Sequence, residues 1–312
     1  MKQSTFKSKQ TKKVNHQNKG KNMSKKIENK VVLITGASTG FGRSLTEAAL
    51  EQGHRVVATA RKREALQDLT TGHRQNILGL ELDVTNRTQI RSVVEEAVSV
   101  FGKMDVLINN AGFGMIGAVE EFHESEVRDQ FETNVFGAIW MIQEILPYMR
   151  QQQSGHIINI SSVAGHVGYA GSGLYAASKH ALEGLSQGLF KEVESLGIHV
   201  TMVNPGPFRT QFAGSSLKTA EKKIEAYATS VHTRQAYLRN NLNGNQAGDP
   251  DRAARAILET VGLPKPPFTL PLGAIAFEEI PGRLQNTLDE IEAIKAIGLP
   301  TDYETEPQKE KE

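Results

Sequence analysis

The chain has 312 residues, no cysteine and a formal net charge of +1. A chain of this length can bury a large apolar core and needs no disulfide or structural metal to be stable. The absence of cysteine excludes disulfides and cysteine-ligated zinc or iron–sulfur sites. The body beyond residue 30 carries 34 acidic and 26 basic residues, which makes it a poor nucleic-acid ligand, and no apolar run approaches the ~18 residues of a membrane span.

The chain begins with a basic, polar segment. Residues 1–30 hold ten lysines and one glutamate, and such a segment cannot bury enough apolar surface to fold. It lacks the apolar stretch of a signal peptide and the arginines of a transit peptide. We therefore predict a disordered extension over residues 1–28, with Met23 as a candidate translation start, and a cytoplasmic protein. The alternative is a tail that tethers the acidic body to RNA or to a membrane surface.

Short apolar runs alternate with helical patterns from Lys30 onward. The runs rich in β-branched residues predict buried strands, at 31–34, 56–58, 77–82, 106–108, 156–160 and 199–203. The segments between them have helical periodicity, at 41–53, 62–70, 86–101, 124–150 and 173–196. Strands that alternate with helices form a parallel sheet through right-handed crossovers. The order predicts a doubly wound, three-layer α/β/α Rossmann fold.

This alternation stops after Pro205. Residues 207–248 are irregular and include an Asn/Gly-rich stretch, so we predict a lid over the functional site. The remaining predicted elements are two helices and one short strand, at 250–261, 277–296 and 268–270. Together the elements predict a single catalytic domain over residues 29–300, followed by a charged tail at 301–312.

A glycine-rich turn joins the first predicted strand to the first predicted helix. Gly36, Gly40 and Gly42 follow the spacing G-x-x-x-G-x-G. Glycine lets a backbone turn tightly and approach a pyrophosphate, and the N-terminus of the following helix attracts the anion. The position between a strand and a helix therefore predicts a nucleotide-binding turn.

Further polar motifs follow the other predicted strands in a fixed order. These motifs are Asp83-Val84 after the third strand, Asn109-Asn110-Ala111-Gly112 after the fourth, Asn134 within the long helix, Ser161-Ser162 after the fifth, Tyr175-x-x-x-Lys179, and Pro205-Gly206 with Thr210 after the sixth. Together with the glycine turn, they resemble the short-chain dehydrogenase/reductase family from about residue 29 to residue 212. The resemblance implies an NAD(P)-dependent oxidoreductase that acts on alcohol or carbonyl groups.

The resemblance also implies a set of cofactor-binding residues. They belong to the glycine turn, the strand ends and the Tyr-x-x-x-Lys motif: Gly36, Ser38, Thr39, Gly40, Phe41, Gly42, Asp83, Val84, Asn110, Ala111, Gly112, Tyr175, Lys179, Pro205, Gly206 and Thr210. Within this set, Asp83 is expected against the adenine ring and Lys179 is expected on the ribose next to the nicotinamide.

Tyr175 and Lys179 lie four residues apart and therefore share one face of a predicted helix. A nearby ammonium group favours the phenolate and lowers the pKa of a phenol, so we expect Tyr175 to act as general acid and base. Ser162 is expected to donate a hydrogen bond to the same substrate oxygen. By resemblance, Asn134 positions a water beside the lysine. The alternative is a non-catalytic NADP(H)-sensing regulator or scaffold that keeps only the glycine turn.

The end of the second predicted strand bears on the choice of cofactor. An NAD-preferring site usually has an acidic residue here for the ribose 2′-hydroxyl, and Ala60 occupies its place. Arg61 follows, and a guanidinium can grip a 2′-phosphate through charge-assisted hydrogen bonds. The sequence thus favours NADP(H) over NAD(H), although Thr39 stands where many NADP-dependent relatives have a second basic residue.

Aromatic and apolar residues near the strand ends and in the predicted lid indicate a mainly apolar pocket for a small, lipophilic alcohol or carbonyl compound. They are Phe113, Met115, Val163, His166, Phe208, Phe212, Tyr227 and Tyr237. The histidines His156, His166 and His180 lack metal-ligand spacing, so no metal is predicted. By analogy with the family, the two long helices predict a homodimer or homotetramer.

Overall fold

The computed structural model describes residues 29–71, 75–214 and 216–303. Its nine strands are β1 Val31–Ile34, β2 Arg55–Ala60, β3 Ile77–Glu81, β4 Val106–Asn109, β5 Gly114–Ile116, β6 Gly155–Ile160, β7 Ile198–Pro205, β8 Leu217–Thr219 and β9 Thr269–Leu272. The predicted extension over 1–28 and most of the predicted tail lie outside the described residues.

Seven of these strands form one parallel sheet in the order β3-β2-β1-β4-β6-β7-β9. In the register of this sheet, Val31 of β1 pairs with Arg55 of β2, and Leu107 of β4 pairs with Ile157 of β6. The chain winds outward from β1 in one direction and from β4 in the other, so the crevice between these two strands is a topological switch point, where ligands bind in such sheets. The predicted doubly wound sheet is confirmed.

Helices cover both faces of the sheet. They are α1 Gly40–Glu51, α2 Gln67–Thr71, α3 Arg87–Phe101, α4 Glu124–Phe131, α5 Gly137–Gln152, α6 Gly173–Val193, α7 Thr233–Tyr237, α8 Pro250–Val261 and α9 Ala274–Gly298. Alternate residues of β1 enter opposite cores because side chains alternate along a strand. Val32 packs with Ile257 of α8 in one core, whereas Leu33 packs with Ile145 of α5 in the other. The strands of the sheet are therefore packed against helices on both of their faces, which fixes the position of the strand ends.

Two predicted helices differ from the structure in detail. The predicted helix at 124–150 consists of α4 and α5 joined by a π-helical turn at Glu132–Phe136. The predicted helix at 62–70 begins as a 3-10 turn at Arg63–Leu66 and continues as the short α2. The sequence analysis also missed β5 and β8, which pair in parallel as a separate two-stranded sheet. Three-residue strands are too short to show periodicity, and only their long-range pairing creates them.

The predicted lid at 207–248 contains β8, α7 and several short 3-10 and π-helical turns. Its two ends are tied together, because the backbone N–H of Arg209 donates to the carbonyl of Gly248 at 2.9 Å and that of Gly248 donates to Pro207 at 3.2 Å. We call residues 207–248 the closing segment. It leaves and rejoins the body at one point beside the carboxyl end of β7, where strand-end loops form sites.

Candidate functional site

The glycine turn is held by polar contacts with the loop after β4. The Thr35 hydroxyl accepts hydrogen bonds from the backbone N–H groups of Asn110 and Ala111, at 3.0 and 2.9 Å. The Asn110 side chain donates to the carbonyls of Thr35 and Gly36, at 2.8 and 3.1 Å. These bonds join residues about seventy positions apart in the chain, so the turn is braced by the neighbouring strand end across the switch point.

Two glycines of the turn are required by its geometry. Gly36 has a φ of +68°, in the left-handed region that favours glycine. A Cβ atom at Gly42 would overlap the carbonyl oxygen of Gly36 and lie 2.5 Å from the Asn110 side-chain nitrogen. Glycine at these two positions therefore lets the turn close tightly against the loop after β4, at the start of α1, where a helix N-terminus suits a pyrophosphate.

The start of α1 faces the closing segment. Thr39 precedes the helix with extended backbone and no side-chain cap, which leaves the first N–H groups available to an anion. A Cβ at Gly40 would stand 3.3 Å from the Cβ of Thr210, and the Phe41 ring packs against Phe208 at 5.1 Å between centroids. The closing segment thus lies beside the glycine turn as well as beside the sheet.

The structure places the other predicted cofactor residues at neighbouring strand ends. Asp83 follows β3 and accepts hydrogen bonds from the backbone N–H and hydroxyl of Thr85, at 2.9 and 2.7 Å. Val84 is buried against Gly137 at the start of α5. Arg61 is exposed directly after β2 and makes no hydrogen bond or ion pair with the described part of the chain. Its guanidinium is therefore available to a ligand.

Ser162, Tyr175 and Lys179 come together at the end of β6. Tyr175 and Lys179 lie one turn apart on α6, and both are buried. The Lys179 ammonium donates to the carbonyl of Ile160 at 2.7 Å and stands 5.8 Å from the centre of the Tyr175 ring. Ser162 follows β6, where its hydroxyl accepts from the backbone N–H of Ala164 at 3.1 Å, and its side chain acts on the Tyr175 phenol to lower the pKa of that phenol. The shared helix face expected from the spacing is present.

Burial sets the protonation of this pair. Burial raises the pKa of Tyr175 to about 12, and the hydrogen bond with Ser162 only partly opposes it. This direction is opposite to the lowering that we expected from the lysine. Burial also lowers the pKa of Lys179 to about 8, against the opposing charge of Glu183. The phenol is therefore protonated at neutral pH, ready to donate, and the lysine titrates near neutrality.

Asn134 lies in the π-helical turn between α4 and α5. Its side chain accepts from the backbone N–H of Phe113 at 3.1 Å and donates to the Phe113 carbonyl at 3.0 Å. Single π-turns inside α-helices are frequent at functional sites. A cavity of about 10 Å³ lies between Asn134 and Lys179, which matches the space for one water. The geometry thus fits the position that the resemblance gave to this residue.

A larger cavity of about 430 Å³ opens beside Ser162 and Tyr175. Four predicted pocket residues line it: Val163, Phe208, Phe212 and Tyr237. Phe212 packs on Tyr175 at 5.3 Å between ring centroids. Seven predicted cofactor or catalytic residues line the same cavity, namely Phe41, Ser162, Tyr175, Lys179, Pro205, Gly206 and Thr210. One cavity therefore joins the start of α1 to the Ser-Tyr-Lys cluster.

The other four predicted pocket residues do not line this cavity. Met115 is buried in β5, and the Phe113 ring lies under the Lys218 ammonium at 4.3 Å. His166 contacts the Asn204 side chain at 3.2 Å, and the Tyr227 phenol donates to Glu120 at 2.9 Å. Their side chains are used in packing and polar contacts and not in the wall of the cavity.

The sequence analysis missed several residues that line the cavity. They come from the loop after β6, from the closing segment and from the first turns of α9: Tyr169, Leu217, Arg234, Leu238, Leu242, Gln246, Ile275 and Glu279. The closing segment and the first turns of α9 have no motif in the sequence, and only the tertiary structure brings them to the Ser-Tyr-Lys cluster. Helical periodicity predicted α9 itself, but not that its first turns would face the site.

Within the described ranges, no group of three histidine or acidic side chains is arranged to hold a metal ion. Likewise, none of the helices described is both long and apolar enough to cross a bilayer.

The chain is similar to known oxidoreductases. Residues 30–221 match the protein family described as short chain dehydrogenase. The chain is 37% identical to Oxidoreductase BOA17 of Botryotinia fuckeliana over 250 residues, which cover 80% of this chain and 90% of the relative. It is 39% identical to a 3-ketodihydrosphingosine reductase of Bacteroides thetaiotaomicron over 251 residues, with the same two coverages.

Solved structures with this fold include proteins bound to either nicotinamide cofactor. A short-chain dehydrogenase from Streptomyces avermitilis has a TM-score of 0.82 and 40% identity, over 88% of this chain and all of its own. A short-chain dehydrogenase/reductase from Burkholderia phymatum in complex with NAD has a TM-score of 0.71 and 25% identity, and the match covers 90% of this chain and 99% of that one. A serine dehydrogenase complexed with NADP+ has a TM-score of 0.67 and 29% identity, and the match covers 78% of this chain and 94% of that one.

Proposed function

This chain belongs to the short-chain dehydrogenase/reductase family of oxidoreductases, and on that premise we propose its cofactor, catalytic residues and substrate type. It transfers a hydride between NADP(H) and a carbonyl or alcohol group of a small, lipophilic substrate. The observation that carries this proposal is the single cavity shared by the start of α1 and the Ser162, Tyr175 and Lys179 cluster.

The residues present fit a dinucleotide. The tight turn at Gly36 and Gly42 and the uncapped start of α1 suit a pyrophosphate. Asp83 and Val84 at the end of β3 would hold the adenine, and Pro205, Gly206 and Thr210 would border the nicotinamide. When bound, the nicotinamide supplies or accepts the hydride.

The chain's own residues handle the proton and the developing charge. Tyr175, protonated at neutral pH, donates its proton to the carbonyl oxygen during reduction and takes it back during oxidation. Ser162 donates a hydrogen bond to that oxygen and stabilises its negative charge. Lys179 holds a positive charge beside the phenol and binds the ribose. Asn134 fixes the loop at Phe113 and borders the small cavity through which a water reaches Lys179.

Substitution of Tyr175 by Phe tests this mechanism. The phenyl ring keeps the packing against Phe212 but carries no proton, so turnover should fall by about 10²–10⁴-fold, whereas the affinity for NADPH should stay within about twofold. Tyr148→Phe, a tyrosine on α5 outside the cavity, is the matched control. Wild-type turnover in Tyr175→Phe would refute the assignment of Tyr175, whereas the absence of turnover on any carbonyl compound in the wild-type protein would favour the non-catalytic, NADP(H)-sensing alternative.

The preference for NADP(H) rests on Arg61. Its guanidinium is exposed and unpaired within the described chain, and the small Ala60 before it puts no negative charge at the end of β2. A charge-assisted hydrogen bond to the 2′-phosphate should give about tenfold or more in kcat/KM for NADPH over NADH. Arg61→Ala should remove most of that ratio and Ala60→Asp should reverse it, while Arg63→Ala serves as control. A ratio unaffected by Arg61→Ala would reject this role.

We also propose that the protein is a homodimer or homotetramer that pairs through α4, α5 and α6. The partly exposed Phe136 stacks on Trp140 at 6.0 Å, and the Arg87 guanidinium covers the Trp140 ring at 4.3 Å. Exposed aromatic rings on a helix surface are frequent at interfaces. Light scattering on wild type and on Phe136→Glu should show an oligomer in the first and a smaller species in the second.

A further inference from the structure

One end of the large cavity is polar, although most of its wall is apolar. Tyr169, Arg234 and Glu279 line this end. The Arg234 guanidinium lies over the Tyr169 ring at 4.5 Å from its centre, and the Tyr169 phenol donates a hydrogen bond to the Glu279 carboxylate. The three residues come from the loop after β6, from α7 and from α9, so only the folded chain assembles them.

Arg234 differs from the other arginines of the closing segment. Arg209 donates to the carbonyl of Gln246 at 3.2 Å, and Arg239 donates to that of Leu217 at 3.4 Å. Arg234 makes no ion pair or hydrogen bond with the described residues, and its Nε atom is buried without a partner. A buried donor on a charged group is costly to leave unpaired. Because Arg234 also lines the cavity, the guanidinium N–H groups that face the cavity are available to an acceptor that enters it.

Tyr169 fixes both the orientation of this guanidinium and its distance from the Ser-Tyr-Lys cluster. The arginine stacks on one side of Tyr169, which itself packs against the buried group of Ala164, Tyr175 and Ala176. Tyr169 thus lies between the guanidinium and the buried group that contains Tyr175. A ligand held by both Arg234 and Tyr175 must therefore separate its two polar groups by a spacer, and the cavity wall supplies apolar side chains such as Phe212 and Leu238 to contact it.

We propose that Arg234 binds a carboxylate on the substrate, so that this enzyme acts on oxo acids or hydroxy acids in which an apolar spacer separates the reacting group from the carboxylate. This inference rests on the proposed function. A planar carboxylate matches the fork of a guanidinium. Glu279 at the same end of the cavity accepts from the Tyr169 phenol and repels any anion, but it repels a monovalent carboxylate less than a divalent phosphate. Substrates with the carboxylate directly beside the carbonyl cannot reach both residues.

Two probes of equal shape test the proposal. 4-Acetylbenzoate carries a ketone and a carboxylate across one ring, and 4-acetylbenzamide replaces the carboxylate by a neutral amide. For reduction with NADPH, wild type should favour the acid by about tenfold or more in kcat/KM. Arg234→Met should bring the ratio of acid to amide to one or below, because Glu279 then faces the carboxylate alone. Arg239→Met, a second arginine of the closing segment outside the cavity, should keep the wild-type ratio.

Because each ratio compares two probes on one protein sample, a loss of folded protein cancels out. Arg234→Gln provides a second neutral variant in case Arg234→Met does not fold. A wild-type ratio near one, or an unchanged ratio in both neutral variants, overturns the proposal.

A binding measurement separates this inference from the proposed function. Calorimetry with 4-ethylbenzoate and 4-ethylbenzamide, which cannot react, should show the same preference for the acid in wild type and its loss in Arg234→Met. Tyr175→Phe should keep that binding preference while losing turnover on both acetyl probes. Retained turnover in Tyr175→Phe would refute the mechanism alone, whereas no preference for 4-ethylbenzoate in wild type would refute the carboxylate site alone.

Discussion

The two sides of the cavity are built in different ways. The glycine turn and the end of β6 lie at the carboxyl ends of strands of the sheet, and polar bonds such as those between Thr35 and Asn110 tie strand ends to one another. The closing segment, by contrast, consists of short 3-10, π- and α-helical turns around β8, and its contacts with the site are mainly aromatic, as between Phe212 and Tyr175.

This difference follows from what each side must do. The cofactor side meets a ligand of fixed shape, so its backbone is held by bonds that tolerate little displacement, and Gly42 is required there because a Cβ would overlap the Gly36 carbonyl. The closing segment is tied to the body at its ends, between Pro207 and Gly248. Between those ends a side chain can change without disturbing the sheet. Loops held by a rigid scaffold commonly carry specificity for this reason.

The largest effect expected from this difference between the two sides of the cavity comes from adding one methyl group to the glycine turn. Gly42→Ala places a Cβ against the Gly36 carbonyl, and such overlap should cost about 3 kcal/mol or more of the free energy of unfolding and abolish NADPH binding. Gly184→Ala, at an exposed position of α6 with open space around it, should instead stabilise by about 1 kcal/mol. Thermal unfolding and cofactor fluorescence measure both effects. Normal NADPH binding in Gly42→Ala would contradict a rigid turn.

The pH dependence of activity should arise on the cofactor side of the cavity, at Lys179. Lys179 has a lowered pKa of about 8 because it is buried, so it is charged below that pH and neutral above it. Because a neutral amine loses its electrostatic support for the ribose and the phenol, kcat/KM for NADPH should fall as pH rises through about 8, approaching tenfold per unit above it.

Two comparisons show whether Lys179 causes this fall. Tyr175, with a pKa of about 12, stays protonated across the same range. Lys179→Met should give a low, flat profile between pH 7 and pH 9.5. A flat wild-type profile would show that the lysine charge does not control cofactor capture.

Substrate choice should respond to the closing segment. Phe212→Ala opens the wall beside Tyr175, so it should change the ratio of kcat/KM for large against small ketones by about tenfold or more. The affinity for NADPH should change by less than about twofold. Phe277→Ala, an exposed residue of α9 outside the cavity, is the control. If rates on all ketones fall equally, Phe212 supports the structure and does not select the substrate.

The smallest expected effect compares two helix caps. The Asn86 side chain accepts from the backbone N–H groups of Thr88 and Gln89 at the start of α3, at 3.1 and 3.2 Å. Asn86→Ala should lower the free energy of unfolding by about 1 kcal/mol. Thr210 caps a 3-10 turn of the closing segment by accepting from Phe212 at 3.2 Å. Thr210→Ala should cost less than Asn86→Ala in denaturant unfolding, and the reverse order would mean that the closing segment unfolds together with the sheet.

The sequence alone was sufficient for the sheet, most of its helices and the residues of the Ser-Tyr-Lys cluster. Buried strands such as Val31–Ile34 are continuous apolar runs, and the spacing of Tyr175 and Lys179 places them on one helix face in any α-helix. These features depend on neighbours a few residues apart, so local patterns are enough to predict them.

Only the tertiary structure decided how the cavity is completed and how its groups are charged. The pairing of β5 with β8 joins residues about one hundred positions apart, and the meeting of Tyr169, Arg234 and Glu279 joins three separate elements. The pKa of Tyr175 rises, although its neighbour Lys179 alone would lower it, because burial outweighs the neighbouring charge. Burial and long-range contacts are properties of the packed chain, and no local pattern contains them.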